Sequence, residues 1–103
     1  MWFAPIFDDS FKKLDKPMKE LAWKEIQSLK EEPDKGEHLL GILRGLRSID
    51  VKSHKSNCRV VYKISNDKTK VIIIVAGTHK ETYKWLERYL RNIRKSAYQI
   101  FEP

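Results

Sequence analysis

The pattern of apolar and polar positions divides the chain into a helical first part and a sheet-forming second part. Residues 2–7 form a short aromatic and apolar stretch that reads as an edge strand, because Pro5 has no N–H to give a ladder. Asp8 or Asp9 can cap a short helix over 10–15, with Phe11 and Leu14 three apart on one face. Pro17 suits the first position of a second helix, in which Met18, Leu21, Ala22, Ile26 and Leu29 recur at steps of three and four. Trp23 lies at the margin of that stripe, and Pro33-Asp34-Lys35-Gly36 ends the helix. The two helices are expected to form an antiparallel hairpin.

Further on, the period changes to two. Over 48–54, Ile49, Val51 and Ser53 take one face, while Asp50, Lys52 and His54 take the other. Over 58–65, Arg59, Val61 and Lys63 oppose Val60, Tyr62 and Ile64. Asn66-Asp67 supplies turn chemistry before 71–76, a continuous β-branched run that predicts a central strand buried on both faces. Thr78 and Glu81 have capping-box spacing and open a last helix that runs to about Lys95. Its Thr82, Leu86, Tyr89, Leu90 and Ile93 point inward, and Lys84, Arg88, Arg91 and Lys95 outward. The tail 97–103 carries Tyr98, Ile100 and Phe101 and is expected to pack against the domain. The order strand, helix, helix, three strands, helix predicts one α+β domain, 1–103, with an antiparallel sheet.

Composition supports a globular chain: of 103 residues, 41% are hydrophobic and 34% charged. The longest apolar run is six residues, far below the ~20 needed to span a bilayer. The apolar start has no basic flank, so a secretory signal is not expected. Cys58 is the single cysteine, which suits a reducing cytoplasm. Lys and Arg number 21 against 14 acids, a net charge of +7, and the excess is uneven. Residues 1–40 carry seven basic and nine acidic side chains, whereas 41–103 carry fourteen and five. That asymmetry predicts a positive surface and a polyanionic partner.

Several chemistries fall away at this stage. His38, His54 and His79 are far apart and unpaired with other ligands, so no metal or cofactor is expected. Cys58 lies in a β-rich run where burial is the default, and no glycine-rich phosphate loop is present. A polar strip remains. Asp50, Lys52 and His54 share one strand face, Arg59 and Lys63 share another, and His79 and Tyr83 follow the apolar strand. If 55–57 turn a hairpin, these groups can converge on one concave face. Cations there stabilise charge on a phosphodiester, and an imidazole or phenol moves protons, which suffices to cleave RNA through its 2′-hydroxyl without metal. Each group also has a plainer reading. The lysines can be solvated, Arg59 can pair with Asp50, His54 can be an ordinary surface residue, His79 can belong to the first helical turn, and Tyr83 can be core.

The ordered set Leu43-Arg44-Gly45-Leu46-Arg47-Ser48, a strand, Cys58-Arg59-Val60-Val61-Tyr62-Lys63-Ile64, an Asn-Asp turn, the apolar strand 71–77, and His79-Lys80-Glu81-Thr82-Tyr83 resembles the RelE/ParE superfamily of toxin–antitoxin toxins. The resemblance spans about residues 8–92. It implies a microbial-RNase-like fold, with two antiparallel helices against a curved antiparallel sheet and a C-terminal helix. It also implies a cytoplasmic, ribosome-associated mRNA endoribonuclease that inhibits translation and is held in check by a cognate acidic antitoxin. On the family's motif, Arg59 matches the arginine that holds the scissile phosphate. Lys52 matches a lysine that steadies the transition state, and Tyr83 a tyrosine that orients or deprotonates the 2′-hydroxyl. His79 or Lys80 stands where some members place an arginine as general acid, and His54 is an added catalytic candidate. Asp50 stands where some members place a second lysine. Arg44, Arg47, Lys55, Lys63 and Lys80 are the candidates for RNA binding. A gyrase-inhibiting relative of the ParE branch, or a non-catalytic RNA-binding relative, is the alternative. A homodimer and a toxin–antitoxin hetero-oligomer both stay open.

Overall fold

The structure is a computed structural model and describes residues 1–100, without the side chains of Ile42, His79 and 92–100. In chain order the elements are β1 (Trp2–Phe3), α1 (Pro5–Phe11), α2 (Lys16–Ser28), β2 (Glu37–His38), β3 (Arg47–Lys52), β4 (Asn57–Ile64), β5 (Val71–Gly77) and α3 (His79–Ile100). Short 3-10 turns at Pro33–Lys35 and Gly41–Leu43 flank β2. The strands form one sheet in the order β1-β5-β4-β3-β2, antiparallel throughout except for β1, which lies parallel to β5. The expected α+β class holds, and the antiparallel body of the sheet gains a parallel edge.

The helical stripe dictates how the sheet is covered. Met18, Ala22 and Ile26 of α2, with Leu29 at its C-cap, are buried against Val51, Cys58, Val60, Tyr62 and Ile73 on one face. Leu86 of α3 packs with Leu46, Val61, Ile74 and Val75 on the other. Strand β5 thus has cores on both sides, as its uninterrupted apolar run requires. A bulge is hidden in that run: Val61 pairs with Val75 but Tyr62 with Ile73, so Ile74 is the extra residue. Ile74 and Val75 both join the core beneath α3, which simple alternation does not allow.

The N-terminal segment differs from the sequence reading. Strand β1 stops at Phe3, and Pro5 opens α1 instead of marking a strand edge. Proline's fixed φ and absent N–H suit the first turn of a helix equally well, and that role prevails here. The helix expected over 10–15 therefore begins five residues earlier. Ser10 ties α1 to the sheet: its hydroxyl donates to the Phe7 carbonyl (3.0 Å) and accepts from the Ala76 N–H (3.2 Å). Helix α2 begins one residue before Pro17 and is capped by Asp15, whose carboxylate accepts from the Met18 N–H at 2.8 Å. Leu21, assigned to the buried stripe, is exposed on its flank. Phe11 and Trp23 meet with ring centroids 6.2 Å apart and join α1 to α2.

The loop after α2 is pinned by a phenol. Tyr62 Oη donates to the Pro33 carbonyl (2.7 Å) and accepts from the Gly36 N–H (2.9 Å). A Cβ at position 36 would stand 2.5 Å from that oxygen, so glycine is required for the close approach.

Candidate functional site

The antiparallel register of β3 and β4 builds the centre of the site. Asp50 lies directly opposite Arg59, and Lys52 opposite Asn57. Directly opposed residues project to the same side of an antiparallel pair, so the acid and the base meet. Arg59 Nε donates to Asp50 Oδ1 at 3.0 Å. Half of the Asp50 side chain is exposed, against 19% of Arg59. Among the described residues, no acceptor engages the two terminal nitrogens of the guanidinium. The pairing anticipated as the plainer reading of Arg59 is therefore real, yet it uses one edge of the guanidinium and leaves its fork unused.

The start of α3 comes to the same end of the sheet, because Arg59 is also in register with Gly77 on β5. Thr78 caps the helix, its hydroxyl accepting from the Glu81 N–H at 3.3 Å. Thr82 is buried and donates to the carbonyls of Gly77 (3.1 Å) and Thr78 (2.7 Å), which fixes the helix to the strand end. Tyr83, the next residue, is 53% exposed, so it is not core. Lys80 is exposed on the first turn. The side chain of His79, a catalytic candidate, lies outside the described residues, as do Ile93 and the tail candidates Tyr98, Ile100 and Phe101.

Not every candidate shares this face. His54 was expected to follow Asp50 and Lys52 along the strand face. Strand β3 ends at Lys52, and the Ser53 hydroxyl closes a turn by accepting from the N–H groups of Lys55 (3.3 Å) and Ser56 (3.1 Å). The alternation stops there. His54 and Lys55 instead border a cleft of about 230 Å³ with Asp15 and Pro17, beside the start of α2. Lys63 shares the Arg59 face but lies four residues along β4, about 13 Å away by strand rise, with buried Val61 between. Arg44 is exposed beyond the opposite end of β3. Arg47 serves the architecture: its guanidinium donates to the carbonyls of Asp34 and Gly36, both at 3.1 Å, and lies 3.4 Å from the Asp34 carboxylate. The register thus brings Lys52 and Arg59 to the end of the sheet where α3, with Lys80 and Tyr83 on its first turns, begins; His54 and Lys55 are at that end too but border the α2 side, while Lys63, Arg44 and Arg47 lie farther off.

Trp85 was overlooked in the sequence. It is half-buried where α3 faces the end of α1, with Lys13 Nζ 5.2 Å and the Arg88 guanidinium 5.6 Å from its ring. The three-residue spacing of Trp85 and Arg88 was the available signal. Burial, with Asp50 and Asp15 nearby, pushes the Cys58 thiol up to about 11, which keeps it protonated and unreactive at neutral pH. Among the described residues, no three His, Cys, Asp or Glu side chains come together as metal ligands. No described helix is long and apolar enough to cross a membrane.

A family model described as the ParE-like toxin of type II bacterial toxin–antitoxin systems matches residues 2–87. Among curated protein sequences, none matches. Solved structures share the fold. A doubly substituted Escherichia coli toxin RelE in the free state superposes with a TM-score of 0.68 at 21% identity, covering 89% of this chain and 94% of that one. The toxin–antitoxin complex RelBE from E. coli gives 0.60 at 23% identity, with coverages of 75% and 92%. A RelBE-type complex from Mycobacterium tuberculosis gives 0.59 at 20%, with 75% and 93%.

Proposed function

Because the chain belongs to the ParE-like toxins of type II bacterial toxin–antitoxin systems, we propose that it is a cytoplasmic endoribonuclease of that family, one that cuts ribosome-bound mRNA without a metal. The observation that carries this reading is Arg59. Its guanidinium lies on a sheet face with its fork unengaged by any acceptor among the described residues, at the end of the sheet where Lys52 lies and α3 begins. A planar fork of N–H donors matches two phosphate oxygens and remains charged at any physiological pH. In this scheme Arg59 holds the scissile phosphate and Lys52 offsets the charge that builds on its oxygens. Tyr83 orients the ribose 2′-hydroxyl, and His79 or Lys80 protonates the departing 5′ oxygen. A cognate acidic antitoxin neutralises the toxin by covering this basic end.

Induced expression followed by mapping of mRNA 5′ ends tests the scheme. Wild type is expected to produce cuts within translated codons, Arg59→Ala none, and Lys52→Ala fewer. Tyr83→Phe is expected to slow cleavage by about 10²-fold or more if the phenol moves or orients a proton. Unchanged growth arrest by Arg59→Ala would refute its role. The ParE-like description of the matching family model favours a second reading, gyrase inhibition. That reading requires gyrase-dependent DNA damage with intact mRNA in the same cells.

A further inference from the structure

We propose that Asp50 is the general base of the cleavage reaction, taking the proton from the ribose 2′-hydroxyl while Arg59 holds the adjacent phosphate. This inference rests on the nuclease reading above and assigns it a residue that the family resemblance does not, since some members carry a lysine at this position. Three observations support it. The carboxylate and the guanidinium are cross-strand partners joined at 3.0 Å through one oxygen and Nε, so a phosphate on the guanidinium fork binds the same planar group that the carboxylate already touches. Asp50 is half exposed, and among the described residues no hydrogen bond engages its second oxygen. Finally, Asp50 borders an open cleft of about 180 Å³ shared with Lys35, Glu37 and Ser48, which leaves room on the flank of the carboxylate away from Arg59 for the part of a nucleotide next to the phosphate.

The chemistry balances. Asp50 accepts the 2′ proton, the 2′ oxygen forms a bond to phosphorus, and the bond from phosphorus to the 5′ oxygen breaks. That oxygen takes a proton from the acid at the start of α3, leaving a 2′,3′-cyclic phosphate, and exchange with water restores both groups. The Nε bond keeps the carboxylate beside the phosphate despite their like charges. Lys52, two residues along the same face and about 7 Å away by strand rise, adds a second positive charge.

The test uses the full chain with ribosomes programmed with mRNA, under single-turnover conditions. Asp50→Asn retains an oxygen that can accept from Arg59 Nε but cannot take a proton. It is expected to cleave about 10²-fold or more slowly while the complex retains its mRNA affinity. Asp50→Ala is expected to regain at least about tenfold in rate on addition of formate, a small replacement carboxylate, and nothing from chloride at equal ionic strength. A role confined to holding Arg59 would be met by the amide oxygen of Asp50→Asn, which would then cleave close to the wild-type rate. Cleavage by Asp50→Asn close to the wild-type rate, or an Asp50→Ala rate indifferent to formate, overturns the assignment and leaves the nuclease reading standing. A wild-type chain that leaves mRNA intact overturns both.

Discussion

Tyr62 reaches from the middle of β4 to two backbone groups of the loop after α2, donating to one and accepting from the other. Its ring is fully buried, so removing the hydroxyl leaves the Pro33 carbonyl and the Gly36 N–H to find other partners. Tyr62→Phe is expected to cost about 1–3 kcal/mol, measurable as a lower urea midpoint at neutral pH. The cost depends on protonation. Burial raises the phenol above its ordinary value, against the smaller opposing pull of the Gly36 N–H and Arg47. A raised acid pKa favours the protonated form in the folded chain. Stability contributed by Tyr62 is therefore intact below pH 10 and declines as the pH climbs from there through the folded value. The gap between wild type and Tyr62→Phe should narrow over that alkaline range. A constant gap would remove the hydroxyl from the account. Arg59 shows the opposite situation at the same scale: a partly exposed charge whose partner among the described residues occupies one edge of it and leaves the other unused.

The helices and strands differ in how openly they announce themselves. Helix α2 was legible because its buried side chains recur at helical spacing, and its cap is local. Asp15→Ala should lose about 1 kcal/mol, seen as a lower urea midpoint with an unchanged slope. Helix α1 was misplaced because Pro5 fits both a strand edge and a helix start, and only the Ser10 link to β5 decides between them. Alternation grouped Asp50 with Lys52 and Arg59 with Lys63 and allowed an Asp50–Arg59 pair, but the register that sets those two opposite each other has no signature in alternation alone. His54 followed the same alternation into error, since the Ser53 turn ends the strand first. The bulge at Ile74 left no trace in a run where every residue is apolar, and a two-residue parallel strand is too short for any periodicity.

The whole molecule carries a charge of +7, with the excess in its second part. Nucleic-acid binding through such a surface should weaken steeply with salt, because each neutralised phosphate releases counterions. On the proposed function, Lys52→Ala should lower the slope of log affinity against log salt by about one, uniformly across RNA sequences. An unchanged slope would place Lys52 away from the phosphates.

The parallel pairing of Trp2 and Phe3 with Ile72 and Ile73 carries a consequence for how this toxin is made. Synthesis runs from the first residue onward, so the earliest segment to leave the ribosome must wait for one of the latest before it has a neighbour to bond. A nascent chain interrupted anywhere before β5 lacks that edge, the anchorage of α1 and the whole of α3. A shortened product therefore never completes the end of the sheet where Arg59 meets the close of β5 and the opening of α3.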